Sequence, residues 1–221
     1  MNMGKDRIKT YTKAHTVYKT ADGKRVPGTT TITGLLNKPY LVRWANDLGL
    51  EGIDTAKYVD EAAKIGTLAH AMVQAHLQTD QLDMDQYSKV QIDLAENALI
   101  SFFEWKNRHE IEVIRCETPM VPEALKYGGT IDCYCLLNGV PTLLDFKTGK
   151  AIYEEYFVQL AAYKNLLEEL DLPVQQCRIL RIGRDETEGF EERTVTDTRK
   201  YFEIFRHLLD VYYLKKELGW R

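Results

Sequence analysis

The sequence predicts an α/β (α+β) chain built on a small mixed β-sheet with helices packed against it. Three observations carry this. Apolar residues recur at helical spacing in several long segments, most clearly Phe157, Leu160, Ala161, Leu167 and Leu170. Two apolar runs rich in β-forming residues meet at Asn138-Gly139, a dipeptide whose ease with positive φ suits a two-residue hairpin turn. The order is helices, three strands, a helix, strands and a final helix, with no internal repeat.

In chain order, residues 10–20 and 25–33 read as a hairpin around Ala21-Asp22-Gly23. Thr33 to Leu48 reads as a helix, with Leu36, Tyr40 and Trp44 four apart. Residues 57–79 give a second helix and 86–109 a long third one, with Val90, Leu94, Leu99, Phe102 and Trp105 along it. Residues 111–121 are extended, followed by the Asn138-Gly139 hairpin. Glu154 to Leu170 is a helix, 174–183 and 190–196 are strands around a polar turn, and the last helix spans about 198–218. No linker divides the chain, so 1–221 is expected to be a single domain. Within it, residues 1–56 form a basic N-terminal extension, 57–197 the core and 198–221 a C-terminal helix.

With 44% hydrophobic and 28% charged residues, the chain has enough apolar content for one sizeable core. No apolar run reaches membrane-span length, and the first residues are too polar for a signal peptide. No membrane association and a cytoplasmic location are therefore expected. The net charge of −4 is unevenly spread. Residues 1–50 hold nine basic side chains against three acids, a net +6, and the remainder carries −10. A basic end on an acidic body can steer a polyanion, or can simply be a solvated surface. The run Gly28-Thr29-Thr30-Thr31-Ile32-Thr33 offers hydroxyls and N–H groups to phosphate, or ends a strand with a helix cap. Cys116, Cys133, Cys135 and Cys177 form no CxxC and read as small core residues.

The hairpin holds two acids in otherwise apolar strands. With Asn138 and Gly139 as the loop, Leu137 faces Val140, and facing residue numbers sum to 277. Counting outward sets Asp132 opposite Asp145, their Cβ atoms roughly 4.5–5.5 Å apart. Two like charges so close raise one pKa unless a cation lies between them. Hard carboxylate oxygens suit Mg²⁺ or Mn²⁺. Lys147, two residues past Asp145, shares its face and is placed to orient a water and a phosphate. Pro141 fits a regular ladder poorly, and a bulge there would move Asp132 off Asp145.

Gly129-Thr130-Ile131-Asp132, Asp145-Phe146-Lys147-Thr148-Gly149 and Gln159-Leu160-Ala161-Ala162-Tyr163 together resemble the PD-(D/E)XK nuclease superfamily, in its RecB-type, phage exonuclease-like branch. Gly66-Thr67-Leu68-Ala69-His70 resembles the branch's G-x-x-x-H element. The resemblance spans roughly residues 60–180, and the proline of the superfamily's name is absent. It implies a restriction-endonuclease-like core. It implies metal-dependent hydrolysis of DNA, with Asp132, Asp145 and Lys147 catalytic and His70, Asp132, Asp145 and the Phe146 carbonyl on one or two Mg²⁺ or Mn²⁺ ions. Thr148, Gln159 and Tyr163 would support Lys147 or touch substrate, unless the last two are an ordinary polar stripe. Glu117 is a candidate third acid or a solvent-facing strand residue. Gly66 within a helix costs about 1 kcal/mol against alanine, so it marks a close approach by backbone or DNA, or a helix start.

Some RecB-type nucleases carry an iron–sulfur cluster held by one cysteine before the motifs and three after. Only Cys177 follows them here, so no cluster is expected. His15 and Tyr18, Asp22-Gly23 and Val26-Pro27 resemble a stretch that opens phage-type exonucleases. This implies a phage or prophage recombination enzyme, with a single-strand annealing or binding protein as a possible partner and an oligomer possible. Two alternatives stay open: a structure-specific endonuclease on the same fold, and a catalytically inactive DNA-binding module.

Overall fold

Asn138 and Gly139 adopt φ of 50° and 79°, the pair of positive values a type I′ turn requires. The turn joins the two central strands of a computed structural model that describes residues 8–9 and 16–220. Its elements are β1 (Ile8–Lys9), α1 (Thr29–Thr33), α2 (Pro39–Leu50), α3 (Thr55–Gln78), β2 (Gln81–Leu82), α4 (Lys89–Lys106), β3 (Ile111–Met120), β4 (Gly129–Leu137), β5 (Val140–Lys147), α5 (Glu154–Glu168), β6 (Gln176–Ile182), β7 (Phe190–Val195) and α6 (Arg199–Glu217).

Strands β3 to β7 form one five-stranded sheet in chain order. Within this sheet only β5 and β6 pair in parallel, with α5 as the crossover between them. The sheet separates two cores. On one face Leu143 and Ile179 pack with Val158, Leu160 and Leu166 of α5, Phe205 of α6 and Ile32 of α1. On the other, Leu144, Phe146 and Leu180 pack with Leu68 and Val73 of α3 and Phe102 and Trp105 of α4. Neighbouring residues such as Leu143 and Leu144 thus serve opposite cores, as a strand buried on both faces must. A five-stranded mixed sheet flanked by helices is consistent with a restriction-endonuclease-like core.

The hairpin register follows the count from the turn: Leu137 faces Val140 and the pairing continues to Cys133 with Leu144. Pro141 sits in this ladder without a bulge, opposite Leu136, one residue before the pairing with β6 begins. The irregularity lies instead in β3, between Val113 and Arg115.

The N-terminal expectations need correction. Residues 10–15 lie outside the described residues. The remaining turn at Ala21-Asp22-Gly23 is closed by a single bridge, Lys19 to Arg25, rather than a two-stranded ladder. Thr29–Thr33 is a short helix, not a strand, and the expected helix from Thr33 is interrupted before Pro39 restarts it. Tertiary contacts override the strand preference of threonine here. Thr29 donates through both its main-chain N–H (2.7 Å) and its hydroxyl (3.0 Å) to the Gly128 carbonyl, and Ile32 is fully buried. Thr29 and Thr33 are spent on the core, so the phosphate role considered for this run is left to the exposed Thr30 and Thr31.

Candidate active site

Three acids lie at matching positions on adjacent strands. The β4–β5 register sets Asp132 against Asp145, and the β3–β4 register sets Glu117 against Asp132. Neither pair belongs to a ladder: pairing stops at Cys133–Leu144 on one side and skips from Cys116 to Thr118 on the other. Two local distortions explain this. Glu117 has φ of 46°, a left-handed conformation that a side chain pays for. In β4 the two-residue alternation lapses at Asp132, because Ile131 joins the α5-side core while Cys133 joins the α3-side core. Asp132 is thereby turned out of the pleat, and its Oδ2 accepts a hydrogen bond from the Phe146 main-chain N–H at 2.7 Å.

Helix α3 brings His70 to this group. Its Nδ1 is 3.7 Å from Asp132 Oδ2. One ligand atom each of His70, Glu117 and Asp132 lie within 4.8 Å of one another. The helix starts at Thr55 under an Asp54 cap, so Gly66 is a mid-helix position. A Cβ there would lie 2.7 Å from Thr148 Oγ1. The close approach that Gly66 permits is therefore to the loop after β5, and it draws α3 against the strand ends that carry the acids.

Asp145 is buried (1% exposed) with Lys147 Nζ 2.7 Å from its Oδ2. Its other oxygen, Oδ1, is buried with no hydrogen-bond partner among the described residues. Lys147 Nζ also stands 5.0 Å from the centre of the Tyr156 ring, a cation–π distance. A buried carboxylate with unused lone pairs invites a cation.

The electrostatics point the same way. Burial, then the neighbouring Asp132, pushes the Glu117 carboxyl up to about 8. Burial raises Asp145 to about 6, against the pull of Lys147. Burial raises Asp132 too, opposed by Lys147 and the Phe146 N–H. His70 is lowered to about 4 by burial and then by Lys147, although solvent still reaches part of its ring. A neutral imidazole among acids short of counter-charge is a donor set suited to a divalent cation. The residues present fit Mg²⁺ or Mn²⁺.

The acids open onto a cleft of about 980 Å³. His70, Glu117 and Asp132 form its floor, α2 and α3 one side, and Thr148, Gly149, Lys150, Tyr153 and Tyr156 the other. Thr148 is thus at the cleft. Gln159 and Tyr163 are not brought to it. Tyr163 is buried beneath Gly129, where an added Cβ would lie 2.6 Å from its ring, and Gln159 Nε2 donates to its hydroxyl at 2.7 Å. This pair supports the start of β4, and Tyr163 lies close enough to Asp145 and Asp132 to feel their charge. Glu117, a lesser candidate in the sequence, stands inside the cluster, whereas Asp145 lies just behind it with Lys147. Tyr156 and the cleft-facing residues of α2 were missed. Tyr40 and Trp44 gave a signal as an aromatic pair four residues apart, but it reads equally as core.

No family model and no curated protein matches the chain. Among solved structures it is similar to a candidate exonuclease from Eubacterium rectale, at 13% identity over 70% of this chain and 68% of that one, with a TM-score of 0.48. It is also similar to an alkaline exonuclease, LHK-Exo, from Laribacter hongkongensis, at 11% identity over 87% and 92% of the two chains, with a TM-score of 0.39. LHK-Exo in complex with dAMP gives 11% identity, 72% and 91% coverage, and a TM-score of 0.35. At these values the likenesses carry no chemistry, which is read from the side chains themselves.

Proposed function

We propose that the chain is a metal-dependent DNA exonuclease of the PD-(D/E)XK superfamily, in its RecB-type, phage exonuclease-like branch. The observation that carries the reading is the alignment of Glu117, Asp132 and Asp145 across three strands, with His70 against them and Lys147 ion-paired to Asp145. The motif order in the sequence supports it. The stretch with Tyr18, Asp22-Gly23 and Val26-Pro27 supports a phage or prophage recombination type.

His70, Glu117 and Asp132 would hold the ion, with Asp145 and the Phe146 carbonyl as the further ligands that the motif implies. Mg²⁺ or Mn²⁺ there would lower the pKa of a bound water and stabilise charge on the scissile phosphate. His70, held neutral, offers a lone pair throughout the neutral range. Lys147 is fixed between Asp145 and the Tyr156 ring, so its ammonium is in place before substrate arrives. It positions the attacking water and shares the growing phosphate charge. Asp145 holds the Lys147 ammonium in orientation. The Phe146 N–H holds Asp132 with its other oxygen free.

Asp145→Ala and Lys147→Ala should each abolish Mg²⁺-dependent cleavage of linear DNA while circular dichroism stays native. Full activity in either variant would overturn the assignment. Closed circular single-stranded DNA separates the exonuclease from an endonuclease on the same fold: the exonuclease leaves it intact.

A further inference from the structure

Helix α2 carries Tyr40, Leu41, Val42 and Trp44, yet no residue of it is buried. Such a helix gains little from its own chain and presents its aromatic side to the cleft. Trp44 is half-buried and meets Tyr58 of α3 edge-on, ring centres 5.8 Å apart. Tyr58 is 38% exposed. Both side chains line the cleft and neither is buried, so each offers ring surface to it. Tyr40 stacks on Tyr153 across the cleft mouth, 5.5 Å apart and 8° from parallel. Arg43 and Lys150 also line the cleft and make no ion pair among the described residues, whereas Arg184 is paired with Glu188.

We propose that Trp44 and Tyr58 form a base-stacking wall that binds unpaired nucleotides leading to the acids, with Arg43 on their phosphates. This rests on the nuclease reading for the identity of the ligand as nucleic acid. Bases within a duplex stack on one another and offer their edges. Apart from the outer face of a terminal pair, only unpaired bases offer a face to an aromatic side chain. An uncharged peptide or lipid would use the apolar rings but leave Arg43 and Lys150 without a partner, and an acidic peptide or a phospholipid could pair with those cations but lacks the alternation of planar bases and phosphates that rings and cations together match. A nucleotide strand satisfies all three: rings by its bases, free cations by its phosphates, and the acids through the bound cation.

The test is fluorescence anisotropy in EDTA, so that cleavage plays no part, with three labelled probes: a 12-mer of deoxyadenosine, a 12-mer of tetrahydrofuran abasic units, and a blunt hairpin duplex. Trp44→Ala and Tyr58→Ala should each weaken deoxyadenosine 12-mer binding about tenfold and leave abasic binding unchanged. Trp44→Phe should restore most of the loss, which separates stacking from a folding defect. Arg43→Ala should weaken the deoxyadenosine and abasic 12-mers equally. Wild-type binding of the deoxyadenosine 12-mer by Trp44→Ala, or equal loss for the abasic probe, would overturn the wall. Tightest binding of the blunt duplex would do the same. Trp44-dependent binding by a protein that cleaves no DNA in Mg²⁺ would keep the wall and remove the nuclease reading. Cleavage with an unchanged KM in Trp44→Ala would do the reverse.

Discussion

Glu117 shows what a single residue adds and how little of it is visible beforehand. Counting from Asn138-Gly139 places Asp132 opposite Asp145 without any structure, because hairpin register depends on local turn chemistry. Glu117 joins them only because β3 shifts register between Val113 and Arg115 and its own φ turns positive. Neither feature leaves a mark in side-chain periodicity. Its substitution by Gln keeps the shape and removes the charge, and should lower kcat about 10–100-fold in Mg²⁺, read by single-turnover cleavage. The acids also set a pH dependence. In the metal-free fold Glu117 holds its proton up to about 8 and Asp145 up to about 6, whereas in the unfolded chain both release theirs near their ordinary values of 4.5 and 3.8. Their contribution to stability is full below those ordinary values and is lost as pH rises through about 6 and then about 8. His70 runs oppositely, adding stability as pH rises from about 4 to 6.5, and is spent above that. The melting temperature of the metal-free protein should therefore fall between pH 6.5 and 8.5. Glu117→Gln should flatten that slope, and Mg²⁺ should raise the melting temperature more at pH 8.5 than at pH 6.5. Calorimetry in EDTA and in Mg²⁺ checks this, and a rising metal-free melting temperature would contradict it.

At the scale of elements, the long helices and the sheet strands were legible because each presents a sustained period. Helix α1 was not, since five residues of Thr and Ile read as a strand until Gly128 supplies the carbonyl that Thr29 caps onto. The two-residue pair β1 and β2 is too short to show any period. Gly129 was legible as part of a motif but not as packing. A Cβ at Gly129 would meet the Tyr163 ring at 2.6 Å, Thr29 Oγ1 at 2.8 Å and Leu166 Cδ1 at 2.9 Å, three groups on two elements, α5 and α1. Gly129→Ala should therefore destabilise the fold by about 1–3 kcal/mol, measured by urea denaturation. A neutral effect would mean that α5 and β4 are less tightly coupled than they look. Gly66→Ala meets only the end of the Thr148 side chain, which can turn, and should leave stability close to wild type.

At the scale of the molecule, the five-stranded sheet delivers acids from β3, β4 and β5 to one end, α3 adds a histidine from the side, and α2 and the 148–156 segment build walls above them. Asp132, Asp145 and Lys147 were readable because they lie within one hairpin in sequence, and His70 because it closes a short motif. The walls were not, because Trp44, Tyr58, Arg43 and Lys150 converge from segments up to about a hundred residues apart and leave no spacing to count. Among the described residues no helix is long and apolar enough to cross a membrane. A cleft with free cations should bind single-stranded DNA more weakly as salt rises, log K falling linearly with log salt. Titrations between about 50 and 200 mM NaCl check this. The central claim is that the aligned acids and Lys147 hydrolyse DNA from its ends with a divalent ion. End-labelled linear DNA and closed circular single-stranded DNA, incubated with wild type and Lys147→Ala in Mg²⁺, Mn²⁺ or EDTA, test it most directly. The account predicts that wild type degrades only the linear DNA, only with metal, and that Lys147→Ala degrades neither. Metal-independent cleavage, or full activity in Lys147→Ala, would contradict it.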